Sequence, residues 1–523
     1  MNAKHSPSTG RLTVVLLGLM FSVQLLHSQE VYDWEAWRQG RNIAGLDASS
    51  SPRATIAGKT ATANAELFGS LASGGFRSAS EAQNLWSVGA AASSEVHLPG
   101  LVLTGDFSFT QKSGKDMMGS MFVHPGYYPI DILEFTPGQK TLQAYGMGGG
   151  FAWLNDSRWT PGATLRFEGT NYAKRKDLRH TTYRQELEVV PSFTYDGDSF
   201  VLGASYIFSK TSEFVQAEQI GSATAESYYA FLDKGIMYGT YQVWNGSGVH
   251  LDEAGVNRLP VKELSHGFAV QAEIGNFLYG DFEYIRSRGE VGEKGYTWFR
   301  FPGASMAGKL QFTRHADAGV HVFRAQVDWS RQENDETVME KTTSGGVTTP
   351  TEYGSNRIFE RRSLSGGPSY AFYGESGLEI NAGATVTKTK DRSTLMYPYL
   401  DNDESTVMEC QAEAVFPIGS FEMTVGLLGG CKIGEHRHVV ENDDENLGVT
   451  TTPFRLQEWW DREQEVSDAT RIGGTFGLRY NFTVGGAHHL YVGAECTYVH
   501  AFGIVLLPGS DRTVGLLKLG YDF

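Results

Sequence analysis

The chain contains 523 residues, and its 60 acidic residues outnumber its 44 basic residues to give a formal net charge of −16. So acidic a chain has no electrostatic attraction to phosphates, which excludes nucleic acid as a partner. The 30 Phe, 24 Tyr, 10 Trp and 62 Gly residues, together with a negative mean hydropathy of −0.29, favour a barrel with one face for lipid over membrane-spanning helices.

The N-terminus predicts a secretory signal peptide over residues 1–28. Lys4 and Arg11 form a short basic region, residues 12–26 are apolar, and Ser28 lies at the expected cleavage point. The apolar run is about 15 residues long, whereas a helix that crosses a bilayer needs roughly 20. We therefore expect export of the chain and removal of this segment.

Residues 29–60 form a separate N-terminal segment. Tyr32, Trp34 and Trp37 alternate there with charged residues in a pattern that permits a short amphipathic helix, and a Ser-rich stretch follows. Two interpretations remain open. The segment is either a periplasmic tail that tethers, or a plug that enters the barrel from the periplasmic side.

From residue 61 to residue 523 the apolar residues recur at every second position, which is the period of β-strands. In residues 101–110, for example, Leu103 and Phe107 take one face and Asp106 takes the other. The predicted fold is all-β, a transmembrane antiparallel β-barrel of about 18 strands, with 14 or 16 strands as alternatives. The number is even because both ends of the barrel must lie in the periplasm.

The spacing of the turns supports a membrane barrel over a soluble sandwich. Short turns are predicted at residues 99–100, 155–156, 196–198, 275–276, 315–319, 374–376, 417–419 and 485–488. Long polar excursions are predicted between them, at residues 112–140, 211–265, 332–360 and 434–470. Short periplasmic turns opposite long extracellular loops are typical of outer-membrane barrels.

The last strand ends in an alternating apolar stripe made of Leu517, Leu519, Tyr521 and Phe523. This stripe resembles the C-terminal signal that the barrel-assembly machinery recognises. We therefore expect these four side chains to face outer-membrane lipid and to direct assembly.

The face opposite the apolar side chains carries many charges. The candidate lumen-lining residues are Arg166, Glu168, Asp281, Glu283, Arg324, Asp328, Glu409, Glu413 and Arg479. Either these charges pair across strands, as in any polar barrel interior, or their acidic excess favours the passage of cations. Acidic stretches at residues 333–336, 401–404 and 441–445 offer oxygen ligands of the kind that Ca²⁺ prefers. None has the spacing of a known site, so solvated loop charge is the favoured explanation, and no metal site or cofactor is assigned.

No catalytic motif is present: the sequence has no nucleophile elbow, no zinc-protease signature and no phosphate-binding loop. We therefore predict that the protein is not an enzyme. Two alternatives to a channel or transport accessory remain, an outer-membrane barrel enzyme of the lipase or protease type and a structural or adhesive barrel that binds a surface partner through its long loops.

The opening at residues 32–38, the stretch at residues 42–46 and the Tyr521-Asp522-Phe523 ending resemble an uncharacterised, porin-like family of Bacteroidota outer-membrane β-barrels. The resemblance implies a place in the outer membrane of a Gram-negative cell and an association with TonB-dependent uptake systems. It also implies that the protein serves nutrient or metal uptake, and that its partner is a TonB-dependent receptor or a surface lipoprotein.

Overall fold

The computed structural model describes residues 41–45, 61–78, 80–154, 157–176, 178–218, 230–236, 241–244, 259–275, 277–293, 296–344, 347–396, 399–434, 456–483 and 489–522. Twenty β-strands and the helix α1 have their bounds within these ranges. In this part of the chain no helix is long and apolar enough to cross a membrane.

The first ten strands are β1 (Ala61–Gly74), β2 (Asn84–Leu98), β3 (Leu101–Ser120), β4 (Asp131–Trp153), β5 (Trp159–Lys174), β6 (Arg179–Gly197), β7 (Phe200–Glu218), β8 (Ala230–Asp233), β9 (Tyr241–Trp244) and β10 (Leu259–Ile274). The remaining elements are β11 (Leu278–Glu293), β12 (Tyr296–Ala316), β13 (Gly319–Ser344), β14 (Val347–Gly374), β15 (Glu379–Met396), β16 (Tyr399–Ile418), β17 (Phe421–Ile433), α1 (Leu456–Asp468), β18 (Arg471–Thr483), β19 (His489–Ala501) and β20 (Asp511–Asp522).

Eighteen of the described strands close into one antiparallel barrel, which confirms the predicted fold class and strand number. Each barrel strand pairs with its neighbour in the chain, β7 pairs with β10 across the β8–β9 insertion, and β20 pairs with β1 to close the circle. The extra strand β8 pairs with the beginning of β4, and β9 pairs with β8.

The two faces of the barrel wall differ as the alternation predicts. Large apolar side chains such as Leu165, Leu427 and Leu517 are more than half exposed on the outside, while their strand neighbours turn polar side chains inward. Aromatic rings cluster at one end of the outer surface, where Trp159 packs against Tyr195 with ring centroids 4.8 Å apart. An exposed apolar band with an aromatic edge is the surface of a membrane-spanning barrel.

The two rims of the barrel are built differently. The connections after β2, β4, β6, β10, β12, β14, β16 and β18 are short and define the turn rim, and both ends of the barrel lie there. Gly100 and Gly419 have φ values of +79° and +66° in these turns, a conformation that glycine adopts without strain. The other connections define the loop rim. The predicted short turns that the structure describes belong to the turn rim, and those at residues 155–156 and 485–488 lie outside the described residues.

Two of the predicted long excursions are wrong, because most of their described residues are strand. The described part of residues 332–360 is strand rather than loop, because β13 continues to Ser344 and β14 begins at Val347. In residues 112–140, β3 continues to Ser120 and β4 begins at Asp131, so only residues 121–130 form a connection. The acidic stretches at residues 333–336 and 401–404 therefore lie in β13 and β16, and the stretch at residues 441–445 lies outside the described residues. Strands that extend beyond the lipid band need no apolar face, so the alternation that marks a membrane strand is lost there.

The described cysteines are free thiols in strands. Cys410 pairs in register with Gly429, while Cys431 pairs with Met408.

Candidate functional site

A short piece of the N-terminal segment, residues 41–45, lies inside the barrel towards the turn rim. Arg41 forms ion pairs with Glu188 on β6 (2.7 Å) and Glu283 on β11 (3.3 Å). Burial opposes the charge of Arg41, but these two carboxylates raise its pKa above the ordinary value. Asn42 is fully buried and donates hydrogen bonds to Gln271 (3.0 Å) and to the backbone oxygen of Phe193 (3.2 Å).

Two glycines of the barrel wall make room for this segment. A Cβ atom at Gly150 on β4 would lie 2.5 Å from Cδ1 of Ile43, and a Cβ atom at Gly162 on β5 would lie 2.8 Å from its Cγ2. Any larger residue at either position would displace Ile43. The sequence analysis did not predict this contact between the N-terminal segment and the wall, although the run of glycines on β4 was a signal for it.

The connection between β3 and β4, residues 121–130, crosses the lumen near the loop rim. Val123 donates its backbone N–H to Glu213 on β7 (2.8 Å), and Gln332 on β13 donates to the backbone oxygen of Tyr127 (2.6 Å). Tyr128 packs against Phe301 on β12, with ring centroids 6.2 Å apart. Because β7, β12 and β13 lie on different parts of the wall, the connection spans the interior and narrows it.

A buried charge cluster lies beside this crossing connection. Lys140 and Lys174 both form ion pairs with Glu134, and all three side chains are fully buried. Lys140 also donates to the backbone oxygen of Ser120 (3.0 Å). Breaking such a buried pair from one side leaves an uncompensated charge, so the cluster holds the end of β3 firmly against β4 and β5.

The helix α1 closes another part of the lumen at the loop rim. Ser78 donates to Glu463 (2.6 Å), and Lys432 on β17 pairs with Asp468 (2.8 Å). Glu465 accepts the backbone N–H groups of residues 505–507 at 2.6–3.0 Å. Trp459 packs on Phe135 of β4 with ring centroids 5.6 Å apart. Polar contacts therefore fix α1 to β17 and to the β1–β2 and β19–β20 connections, which are neighbours on the loop rim because β20 pairs with β1.

A cavity of about 750 Å³ lies between α1 and the wall formed by β13 to β20. From the helix, Trp460, Glu463 and Gln464 line it, and from the wall its charged lining includes Asp328, Arg361, Glu409 and Arg471. Asp328 and Arg512 are more than nine-tenths buried there, and each has a side-chain atom, Oδ1 and Nε respectively, without a hydrogen-bond partner. The cavity thus offers polar groups of both signs.

All nine candidate lumen-lining side chains lie on the strand faces opposite the exposed apolar side chains. On β5, Glu168 lies 3.6 Å from Arg184 of β6, and Arg166 is in register with Glu188. On β16, Glu409 pairs with Arg471, while Glu413 is in register with Gly426.

The candidates on β11 and β13 also lie beside groups of opposite charge or hydrogen-bond partners. Asp281 is in register with Lys309, and Glu283 pairs with Arg41 as described. Arg324 donates to Gln311 (2.8 Å), and Asp328 accepts from Gln326 (2.6 Å). The nine residues therefore do not form one site but are spread along the turn-rim half and the middle of the lumen, mostly beside a group of opposite charge or a hydrogen-bond partner.

The ninth candidate, Arg479 on β18, belongs to a cluster at the seam where β20 meets β1. Arg479 stacks on the ring of Tyr491 (3.7 Å to the centroid) and pairs with Asp522 (3.3 Å). Tyr491 in turn donates to buried Glu66 (2.7 Å). A Cβ atom at Gly520 would overlap the Tyr491 ring, so the absence of a side chain at Gly520 lets the tyrosine lie across the seam.

The terminal apolar stripe lies on the outside of this seam. Leu517 and Leu519 are 65% and 48% exposed, and Tyr521 shares their face on β20. Phe523 lies outside the described residues. Within the described ranges no three His, Cys, Asp or Glu side chains gather in a way that would hold a metal ion.

Over residues 55–523 the chain matches the model of a family described as a family of unknown function (DUF6850). No curated protein sequence matches the chain. The match covers the whole barrel and excludes the first 54 residues.

The structure is similar to several solved bacterial proteins. For BauA, the ferric preacinetobactin receptor from Acinetobacter baumannii, the TM-score is 0.41 at 10% identity over 88% of this chain and 80% of the receptor. For OccK5 (OpdH) from Pseudomonas aeruginosa it is 0.34 at 8% identity over 88% and 98%. For OccAB1 from Acinetobacter baumannii it is 0.37 at 9% identity over 88% and 96%.

Proposed function

We propose that this chain, which belongs to the DUF6850 family of unknown function, is a gated channel of the outer membrane for the uptake of a small polar nutrient. The observation that carries the proposal is the cavity of about 750 Å³ beneath α1. A closed barrel with an apolar exterior supports the membrane location, and a polar cavity inside its lumen supports the passage of a solute.

The size and lining of the cavity favour a small organic solute. Its volume lies within the range of about 300–1,000 Å³ typical of ligand sites. The hydroxyl groups of Ser363, Ser365 and Thr387 lie among charged groups of both signs. Such a lining suits a sugar, an amino acid or a similar hydrophilic molecule better than an apolar one, because each polar group that the solute buries then finds a partner.

The gate of this channel is α1 together with the connection at residues 121–130. The helix is held by polar contacts at three places, and Glu465 alone accepts the N–H groups of three consecutive residues. A typical hydrogen bond contributes only about 0.5–1.5 kcal/mol net, so exchange of these polar contacts for water costs little. The larger cost of moving α1 is the exposure of Trp459, Trp460 and Val466, which are buried. Displacement of α1 would open the cavity to the loop rim.

The remaining parts of the chain have proposed roles in export, assembly and partnership. Residues 1–28 direct secretion, and residues 29–60 act as a plug rather than a free tail, for which the buried contacts of Asn42 give support. The terminal stripe serves the barrel-assembly machinery. A TonB-dependent receptor or a surface lipoprotein would act as a partner on the loop rim.

The gate is tested by tying α1 to the wall. Ser78→Cys and Glu463→Cys are introduced after Cys410, Cys431 and Cys496 have been replaced by serine, and a short reversible thiol crosslinker joins the pair. In liposome swelling with sugars and amino acids, we expect the crosslinked protein to admit solute several times more slowly than the reduced protein. Addition of a reductant should restore the rate.

Two further variants complete the test. A crosslink between Arg158→Cys and Asp198→Cys, whose side chains pair at 2.8 Å on the turn rim, should leave the rate unchanged. Glu465→Ala should accelerate swelling because it frees α1. If the tied helix passes solute at the full rate, α1 is not the gate. If no form passes any solute, the barrel is not a channel, and a structural or adhesive role replaces the proposal.

A further inference from the structure

The outer surface of β13 to β15 carries a group of basic side chains near the loop rim. The basic patch consists of Arg331, Arg362, Lys388, Lys390 and Arg392. The register places three of them in one row across neighbouring strands, because Arg331 pairs with Arg362, and Arg362 pairs with Lys390. All five share the outward face of their strands.

The patch begins where the apolar band of the same strands ends. Arg362 follows Leu364 on the outward face of β14, and Lys388 follows Val386 on that of β15; these apolar side chains are 50% and 44% exposed. Lys388 is also in register with Leu364. The basic side chains therefore lie at the level where lipid headgroups meet the barrel, just beyond the acyl chains.

Three outward carboxylates accompany the five basic side chains and only partly neutralise them. Glu360 contacts both Arg331 (3.2 Å) and Arg362, and Glu404 contacts both Lys388 and Lys390, the latter at 2.7 Å. Glu333 also pairs with Arg331. Five positive and three negative groups leave a local charge of +2 on a chain whose net charge is −16.

A recess of about 410 Å³ opens among these groups. Arg362, Lys390, Arg392, Glu360 and Glu404 line it from the outward face, and Asp391 and Asp403 complete its lining. Asp391 is neutralised by its ion pair with Arg361 (2.7 Å). Side chains around it keep their charged ends accessible, since Arg362 and Lys390 are 52% and 56% exposed. The recess is large enough for a phosphate group, and guanidinium and ammonium donors are the groups that bind phosphate oxygens most strongly.

We propose that the basic patch binds the phosphate groups of an anionic glycolipid in the leaflet that surrounds the loop rim. A lipid that carries phosphate monoesters brings the charge that the patch lacks, and its acyl chains would lie along Leu364 and Val386. A zwitterionic phospholipid carries its own cation, so the patch would bind it less strongly. Free phosphate has no acyl chain, so contact with the apolar band would add nothing to its affinity.

The test compares lipid retention by the full-length protein in detergent, measured by native mass spectrometry. The probes are lipid A with both phosphates, the same lipid after enzymatic dephosphorylation, and inorganic phosphate. We expect the wild-type protein to retain the phosphorylated lipid preferentially and to keep it in the presence of millimolar inorganic phosphate. Equal retention of the two lipids, or displacement by inorganic phosphate, would overturn the proposal without affecting the channel beneath α1.

Variants of the patch locate the binding. Because each basic group near an anionic membrane surface is worth about a fivefold change in affinity, the triple variant Arg362→Gln, Lys388→Gln, Lys390→Gln should lose about a hundredfold. Arg158→Gln on the turn rim is the matched control and should bind as the wild type does. Glu404→Gln removes an acid from the patch and should increase retention, so it tests the site even if the triple variant fails to insert. Unchanged retention in Glu404→Gln, or equal loss in the control, contradicts the assignment.

Discussion

Gly520→Ala should destabilise the barrel from within its closing seam. The new Cβ atom would overlap the ring of Tyr491, which is 1% exposed and cannot move outward through the wall. Its displacement would break the hydrogen bond to Glu66 (2.7 Å) and the stacking of Arg479 on the ring. A hydrogen bond to a charged group contributes about 1.5–3 kcal/mol and a cation–π contact about 0.5–2 kcal/mol, so the free energy of unfolding should fall by about 2–5 kcal/mol.

The assay is equilibrium unfolding in urea of protein inserted in vesicles, followed by heat-modifiable mobility on gels. Gly515→Ala is the matched control on the same strand, because a Cβ atom there would meet its nearest neighbour at 4.0 Å. In a Tyr491→Ala background, which lacks the ring, Gly520→Ala should leave the free energy of unfolding almost unchanged. If it costs the same with and without the tyrosine, or no more than Gly515→Ala, the steric reasoning is refuted.

Three other predictions concern the ends and the surface of the barrel. Changing Tyr521 and Phe523 together to Ala should reduce the amount of protein inserted, measured in outer-membrane fractions, because the terminal stripe directs assembly. Leu427→Arg, at a position 66% exposed in the middle of β17, should cost about 2–4 kcal/mol in the same urea assay, since lipid cannot solvate the charge. Arg41→Gln should loosen the N-terminal segment, so that a cysteine introduced by Ala44→Cys reacts with a maleimide that it resists in the wild-type background, where Ala44 is fully buried.

Each of the three has its own control. Lys518→Ala, on the inward face of β20, should insert normally; insertion of the double aromatic variant at the wild-type level would show that the stripe is not a signal. Ile433→Arg, at the loop-rim end of β17, should cost less than Leu427→Arg, and an equal cost would mean that β17 crosses the bilayer at another depth. Rapid labelling of Ala44→Cys without the Arg41 change would show that the segment does not stay inside.

The barrel was predictable because the sequence patterns that specify its strands and turns are local. Alternation identified Leu103 and Phe107 as lipid-facing, and glycine turns such as the one at Gly419 identified the rim. Both signals depend on residues within a few positions of one another, and the lipid band enforces them at every strand.

The contents of the lumen were not predictable for the opposite reason. The ion pair of Arg41 with Glu188 joins residues 147 positions apart, and no local pattern specifies it. The candidate charges were found because inward faces are polar, but their partners depend on which strands meet inside. The outer ends of β13 and β14 lost the alternation because neither of their faces meets lipid.

The pairing of β1 with β20 also sets a limit on how fast the protein can reach its folded state. Asn64 and Asp522 are hydrogen-bonded although 458 residues separate them in the chain, so the final contact must wait until the last strand has been exported. Contacts between such distant residues form slowly, and until then the unpaired edges of both strands can pair with other chains. Survival in the periplasm during that interval, rather than stability of the closed barrel, is expected to limit the yield of this protein.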